Sequence, residues 1–285
     1  MADRRIVACI DITGSSRPMD IVWCDDCDLF NDQIGSEEGV VEWAREQRPA
    51  VLAIDGPSGR NLGRTRDFDV RERHGWTKKF SRTNGNSMPT YGNMRFCEAL
   101  LIARGVLAYS TPPDETAADE WIQRGWRLYA RLQSELGYAL WKKPGVVSVS
   151  DRPTLIEVFP HACFVAGLGW IPQNKNLLGG QLERVAYLLE AAKRDGRSMN
   201  GTCLPATTMI EQFGGLLAGV NWDSIRISGI RLPKVRHDVL DAIAGLVTAI
   251  KAIEGAAFAV GDEEEGVIVL PKAPIEFGTS YRRNN

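Results

Sequence analysis

No apolar run in this chain approaches the roughly 18 consecutive residues that a membrane helix needs. No signal-type apolar stretch follows the opening Met-Ala-Asp-Arg-Arg, which leads straight into a strand-like segment, so a cytoplasmic location is expected. Charge of one sign is also missing. The chain has 34 Lys and Arg against 36 Asp and Glu, a net charge of -2, so any nucleic-acid partner must be met by a local patch and not by global basicity. Six cysteines (Cys9, Cys24, Cys27, Cys97, Cys163, Cys203) are scattered through 285 residues, which argues for reduced thiols rather than a disulfide framework. Cys24 and Cys27 have the spacing of a zinc or redox pair. No second Cys or His pair stands at finger or ribbon spacing, and they read as ordinary thiols. A serine elbow is lacking too, because Ser58 sits in Gly-Pro-Ser-Gly and not in Gly-x-Ser-x-Gly. What remains is 44% hydrophobic and 25% charged, the composition of a soluble globular protein with one large domain or two small ones.

Short β-branched runs punctuate the sequence. Residues 5–12 and 50–57 each read as a strand buried on both faces, with a single acid, Asp11 or Asp55, near the carboxyl end. Between them, residues 19–24 read as a strand and residues 37–47 as a helix with Val40, Val41 and Ala44 on one stripe. Residues 56–94 change character. They are rich in Gly, Asn, Ser and Thr, and the stretch 60–82 holds eight Lys or Arg against three Asp or Glu, so a basic loop or insertion is expected. Beyond it come a helix near 95–103, a strand at 106–109, a helix across 117–137 and a strand at 154–160 containing Glu157. Helices near 181–193 and 207–217 follow. Residues 237–253 are the most periodic segment, with Leu240, Ile243, Val247 and Ile250 on one stripe and the small Ala242, Gly245, Ala249 and Ala252 opposite, which predicts a helix packed on both sides. Residues 266–270 read as a last strand.

Five acids therefore fall in or beside buried segments: Asp11, Asp55, Glu157, Asp238 and Asp241. An ionised carboxylate is costly to desolvate without a partner. Each acid alone has an ordinary explanation: Asp238 as a helix cap, Asp241 as a first-turn acid, Asp55 as a turn residue before Gly-Pro, Glu157 in a salt bridge with an Arg. Taken together they suggest more. If the intervening helix makes a right-handed crossover, Asp11 and Asp55 end neighbouring parallel strands, the end where open α/β sheets bind ligands. Converging carboxylates suit a hard divalent cation such as Mg²⁺ or Mn²⁺. His237 beside the acids can tune such a site or simply start the helix.

The strand-borne Asp11, Ile54-Asp55-Gly56-Pro57, Arg95-Phe96-Cys97-Glu98, Glu157-Val158-Phe159-Pro160-His161 and the run His237-Asp238-Val239-Leu240-Asp241-Ala242-Ile243-Ala244 resemble domain-of-unknown-function family 429, regarded as predicted RNase H-like nucleases. The resemblance runs from residue 5 to about residue 270. The last motif is similar to the final helix of RuvC-type junction resolvases. This resemblance implies an α/β fold, an RNase H-like mixed β-sheet flanked by helices. It would form a single domain over residues 1–285, with a basic insertion at about 56–94 and a polar tail at about 272–285. It also implies a nuclease whose catalytic acids are Asp11, Asp55, Asp238, Asp241 and Glu157, the four aspartates holding one or two Mg²⁺ or Mn²⁺ ions. In such hydrolysis the ions activate water and stabilise the leaving oxygen, so no side-chain nucleophile is needed. Arg60, Arg64, Lys78, Lys79, Arg82 and Arg95, interleaved with Phe68, Trp76 and Phe80, are the candidate contacts to a DNA or RNA backbone; a solvated charged face is the plainer alternative. Two other functions share the core pattern. An actin-like kinase or ATPase could use Asp11-Ile12-Thr13-Gly14-Ser15-Ser16 as a phosphate loop, though no second copy of the domain is evident in the sequence. A non-catalytic nucleic-acid-binding module of the same fold is the other.

Overall fold

The computed structural model describes residues 6–14, 16–25, 29–76, 94–149, 151–194 and 237–272. Its centre is a mixed sheet that opens with a meander. Strands β1 (Val7–Asp11), β2 (Met19–Cys24) and β3 (Leu29–Ile34) run antiparallel to one another, and helix α1 (Glu37–Gln47) then returns the chain to β4 (Val51–Asp55), parallel to β1. The crossover helix has clear ends. The Ser36 hydroxyl caps its start by accepting from the Gly39 amide, and Arg48, in the left-handed region at φ 49°, ends it just before Pro49.

The rest of the chain extends the sheet on the far side of β4. After α2 (Phe68–Arg73), α3 (Phe96–Ala103) and α4 (Glu120–Leu136) come the two-residue strands β5 (Ala139–Leu140) and β6 (Gly145–Val146), then β7 (Thr154–Val158), parallel to β4. Helices α5 (Pro160–Leu168), α6 (Leu178–Arg194) and α7 (His237–Ile253) precede the closing hairpin of β8 (Phe258–Asp262) and β9 (Gly266–Leu270). Among the described residues the strand order is β3-β2-β1-β4-β7-β9-β8-β6, with β5 beside β7. The α/β class expected from the sequence is the class observed.

Strand parity divides the core in two. Val7, Cys9, Val51, Ala53, Ile156 and Val158 face a core shared with α5 and α7, whereas Ala8, Ile10, Leu52, Ile54 and Leu155 face α1 and α4. Helix α7 is buried from Leu240 to Ile250, as its two-sided apolar pattern requires. Gly245 lets it lie against the sheet: a Cβ there would stand 2.2 Å from the Cys9 sulfur and 3.1 Å from Cγ2 of Val158.

Several expectations need correction. Residues 106–109 form no strand; they are an irregular segment that leaves Leu107 40% and Tyr109 65% exposed. The basic stretch is not loop throughout, since it contains a 3-10 turn at Arg64–Arg66 and α2, capped by Asp67. The strand expected at 154–160 ends at Val158, and Pro160 occupies the first turn of α5, where its missing N–H costs nothing. The helix expected at 207–217 and most of the tail expected from 272 lie outside the described residues. Among the described residues, no helix is long and apolar enough to cross a membrane.

Candidate functional site

Asp11 and Asp55 are register partners at the carboxyl ends of the parallel neighbours β1 and β4. Both follow the parity of Cys9 and Ala53, so both side chains rise on the α7 face of the sheet. Register adds an acid that the sequence did not single out. Asp20 of β2 is the antiparallel partner of Asp11, is 2% exposed and shares the parity of Val22 and Cys24. Three adjacent strands thus carry a row of aspartates, Asp20, Asp11 and Asp55. One Asp20 oxygen accepts from Nε2 of Gln33 at 3.0 Å.

The first turn of α7 closes over this row. Asp241 lies one helical turn before Gly245, on the same side of the helix, so the close approach of helix to sheet brings its carboxyl down to the strand ends. Asp238 sits further out, 4.0 Å from the Arg17 guanidinium. Lys175 reaches Asp241 from the side, its Nζ 2.8 Å from Oδ2.

The electrostatics follow from this crowding. Burial raises the Asp11 carboxyl well above the ordinary range, and Asp55, Asp241 and Asp238 raise it further while Lys175 opposes them. Asp55 is likewise raised, by burial and then by Asp241; Lys175 and a hydrogen bond with Asp11 pull the other way. The Arg184 guanidinium, which lines the same cavity as Lys175, also acts on Asp241. Lys175 itself is pulled down by its partial burial, but Asp241, Asp11 and Asp238 outweigh that and leave it raised, firmly a cation. Burial, Asp55 and Asp11 also push the Cys9 thiol up, so it stays an inert packing group beneath the row.

Glu157 belongs to a different cluster. It pairs in register with Ile54, one residue out of step with Asp55, and shares the parity of Leu155, which faces α4. Its Oε2 accepts from the amide and hydroxyl of Ser58, both at 2.7 Å, and from the Arg95 guanidinium at 2.9 Å, while Oε1 takes a second guanidinium bond at 2.5 Å. Arg95 is 1% exposed and also donates through Nε to Glu98 at 2.9 Å. Of the two readings open for Glu157, the geometry is that of the salt bridge, and Arg95 has no free edge for a phosphate. Glu98 in turn caps α3 through the Arg95 amide and accepts from the amide and hydroxyl of Thr111. A further acid, Glu265, is fully buried and accepts from the amides of Leu62, Arg64 and Phe96. These three glutamates hold the loop after Asp55 to the start of α3.

Among the described residues of the basic stretch, Arg60 and Arg64 pair away from the aspartates. Arg60 lies over the Trp126 ring and pairs with Glu115, and Arg64 bonds Asp262 at 3.2 Å. Both remain nearly half exposed. Lys78, Lys79, Arg82 and Phe80 lie outside the described residues, as does Cys27; Cys24 is buried in the core. The side chain of His237 is likewise not described.

Beside the row a cavity of about 520 Å³ opens, lined by Asp55, Asp241, Lys175 and Arg184 and by Tyr109, Phe159, His161 and Pro172 among others. Among the described residues no three His, Cys, Asp or Glu side chains stand close enough together to grip a metal ion as they are. The donor chemistry is nevertheless uniform: Asp11, Asp55, Asp238 and Asp241 offer only hard carboxylate oxygens.

These features define an α/β protein with carboxylates gathered at the carboxyl ends of adjacent parallel strands beneath one helix terminus. The chain belongs to the family described as Protein of unknown function (DUF429), whose model matches residues 20–265. The match begins after β1, so Asp11 precedes it while Asp55, Asp238 and Asp241 lie within it. Neither the curated proteins nor the solved structures contain a significant match.

Proposed function

We propose that the protein is a divalent-ion-dependent nuclease that hydrolyses phosphodiester bonds of DNA or RNA. The observation that carries this reading is the convergence of Asp11, Asp55 and Asp241, with the Asp11 and Asp55 carboxyls raised by burial and by their aspartate neighbours. Glu157 has its oxygens taken by a buried guanidinium and by Ser58, whereas Asp11 and Asp55 face each other and further aspartates, and carboxyls crowded in this way are how an ion is recruited. The strand order β3-β2-β1-β4-β7, with an antiparallel meander followed by parallel strands, supports an RNase H-like core.

Mg²⁺ or Mn²⁺, held by Asp11, Asp55, Asp238 and Asp241, would supply activation of water and stabilisation of the leaving oxygen. The chain's own residues do the rest. Gly245 sets the depth of Asp241 over the strand ends, and Cys9 and Val158 keep the floor beneath it dry. Lys175, 41% exposed along its side chain, holds Asp241 and can turn its ammonium to a substrate phosphate without leaving the cavity. The glutamate and Arg95 network fixes the loop after Asp55, so the carboxyl that begins this loop is held in place. No serine, cysteine or lysine nucleophile is required of the site.

The test is a panel of single-stranded, double-stranded and branched DNA and RNA incubated with the protein in Mg²⁺ or Mn²⁺ and in chelator, beside Asp11→Asn. Cleavage that needs the ion and disappears in Asp11→Asn is expected. Absence of cleavage on every substrate, or equal cleavage by the variant, would overturn the reading.

A further inference from the structure

The cavity beside the aspartates has two chemically unlike kinds of wall. Asp55, Asp241, Lys175 and Arg184 are ionisable; Leu107, Tyr109, Phe159, Ile171 and Pro172 are apolar or aromatic. Tyr109 is the conspicuous member. It is 65% exposed in an irregular segment, yet its ring is braced from two sides, edge-on to Trp121 at 5.2 Å and to Phe159 at 6.2 Å. Phe159 is braced in turn by His161 at 6.1 Å. An aromatic ring held in place while still open to solvent costs little ordering entropy when a flat apolar group settles on it.

A ligand matching both kinds of wall carries a phosphate, for Lys175 and for an ion held by the aspartates, and, within one residue's length of it, a planar ring that stacks. We infer that this cavity takes one unpaired base of a single-stranded nucleic acid, stacked on the Tyr109 ring with its edge toward Phe159, while the adjoining phosphodiester lies at Lys175 and at the ion that Asp55 and Asp241 would hold. The inference rests on the nuclease reading and narrows its substrate. A cavity of about 520 Å³ is of a size that takes one small organic group. A base inside a duplex is paired and stacked on both faces, so it reaches such a cavity only after leaving the helix, at a cost that a single strand does not bear. Stacking on aromatic side chains also tolerates any base, so preference for strandedness rather than for sequence is the expected outcome.

The experiment uses the full chain with Ca²⁺, a hard cation that prefers a larger and looser oxygen shell than Mg²⁺. Oligonucleotides carry 2-aminopurine at the centre or at either end and are offered single-stranded or as the matching duplex. Fluorescence polarisation reports binding, and 2-aminopurine quenching reports stacking. Single strands should bind at least tenfold more tightly than duplex and be quenched. Tyr109→Ala should lose the quenching and weaken single-strand binding about tenfold, the scale of one lost base–aromatic stack, with duplex binding unchanged. Tyr109→Phe, which keeps the ring, should retain both. Equal affinity for single strand and duplex, or quenching that survives in Tyr109→Ala, would overturn the base pocket and leave the nuclease reading standing. Failure to bind any nucleic acid would remove both.

Discussion

Replacing Asp11 by Asn should stabilise the metal-free protein, because the substitution keeps the side chain's shape and removes one charge from a crowded row. Neighbouring strands lie about 4.8 Å apart, and two like charges about 4 Å apart repel by about 1 kcal/mol in water and about 4 kcal/mol at an effective dielectric of about 20. Asp11 is 8% exposed, which places it nearer the second figure, but its attraction to Lys175 is lost as well. The Asn amide can still donate to Asp55. A net gain of about 1 to 2 kcal/mol is expected, and with about 2 to 4 °C per kcal/mol for a chain of this size, Tm should rise by about 2 to 8 °C. The pH dependence follows from the raised carboxyl. Below its ordinary value of 3.8 the group is protonated whether the chain is folded or not. As pH rises beyond that, the unfolded chain releases the proton while the folded one keeps it, so the stability this group contributes is lost as pH climbs through the raised folded pKa. The advantage of Asp11→Asn should therefore be largest at pH 8 and shrink toward pH 4. Scanning calorimetry in chelator across that range measures it. A variant less stable than wild type at pH 8, or an advantage that does not shrink in acid, would refute the account of the row as mutually repelling carboxylates.

Millimolar Mg²⁺ or Mn²⁺ should raise the wild-type Tm, by about 2.7 kcal/mol of linkage at a hundredfold excess over Kd, and should do little for Asp11→Asn; equal responses in thermal-shift measurements would count against these ligands. Lys175→Met should lower the metal-free stability only slightly, by less than about 1 kcal/mol for so exposed a pair, yet enlarge the stabilisation by Mg²⁺, since the ion no longer competes with an ammonium. An unchanged metal response would show that Lys175 does not share the ion's place. Gly245→Ala, whose Cβ would meet the Cys9 sulfur at 2.2 Å, should lift α7 from the sheet at a cost of about 1 to 3 kcal/mol in urea denaturation, and the metal-induced Tm shift should fall with it because Asp241 is displaced. A full metal response in a destabilised Gly245→Ala would uncouple the helix depth from the site. Arg95→Met should cost about 3 to 5 kcal/mol by stranding Glu157 and Glu98; a loss under 1 kcal/mol in the same assay would mean that the pair is not the anchor described here.

Much of the scaffold was readable because the central elements carry strong signals. The strands β1, β4 and β7 are short β-branched runs, and α7 has a helical period on one face and small residues on the other. The elements that escaped are those whose residues answer to the solvent. Strand β3 reads Leu-Phe-Asn-Asp-Gln-Ile and is largely exposed, because it lies at the edge of the sheet with no second face to bury. Residues 106–109 look like a strand by composition, but their side chains furnish a cavity wall and not a ladder. In the site, the sequence could pair Asp11 with Asp55 because one crossover fixes two strand ends. Asp20 needed the register of β2 against β1, which a turn of unknown length conceals. Glu265 could not have been found: its three donors are backbone amides about 170 to 200 residues away in the chain, and backbone amides leave no mark on a sequence.

The contrast between the two sets of acids is what separates support from function. Glu157, Glu98 and Glu265 are as buried as Asp11, yet each has its oxygens filled by a guanidinium, a hydroxyl or backbone amides, and these bonds tie the loop after Asp55 to α3. A carboxylate so satisfied gains nothing from an ion. On the other face of the same strands, a one-residue change of parity puts Asp55 beside Asp11 and Asp241, and Lys175 meets this group through Asp241. Carboxyls crowded on a rigid floor, beneath a helix that a glycine draws close, are held there by the rest of the core and favour a cation that the solvent supplies. In this sheet a single step in register therefore decides whether an acid serves as an anchor or as a ligand.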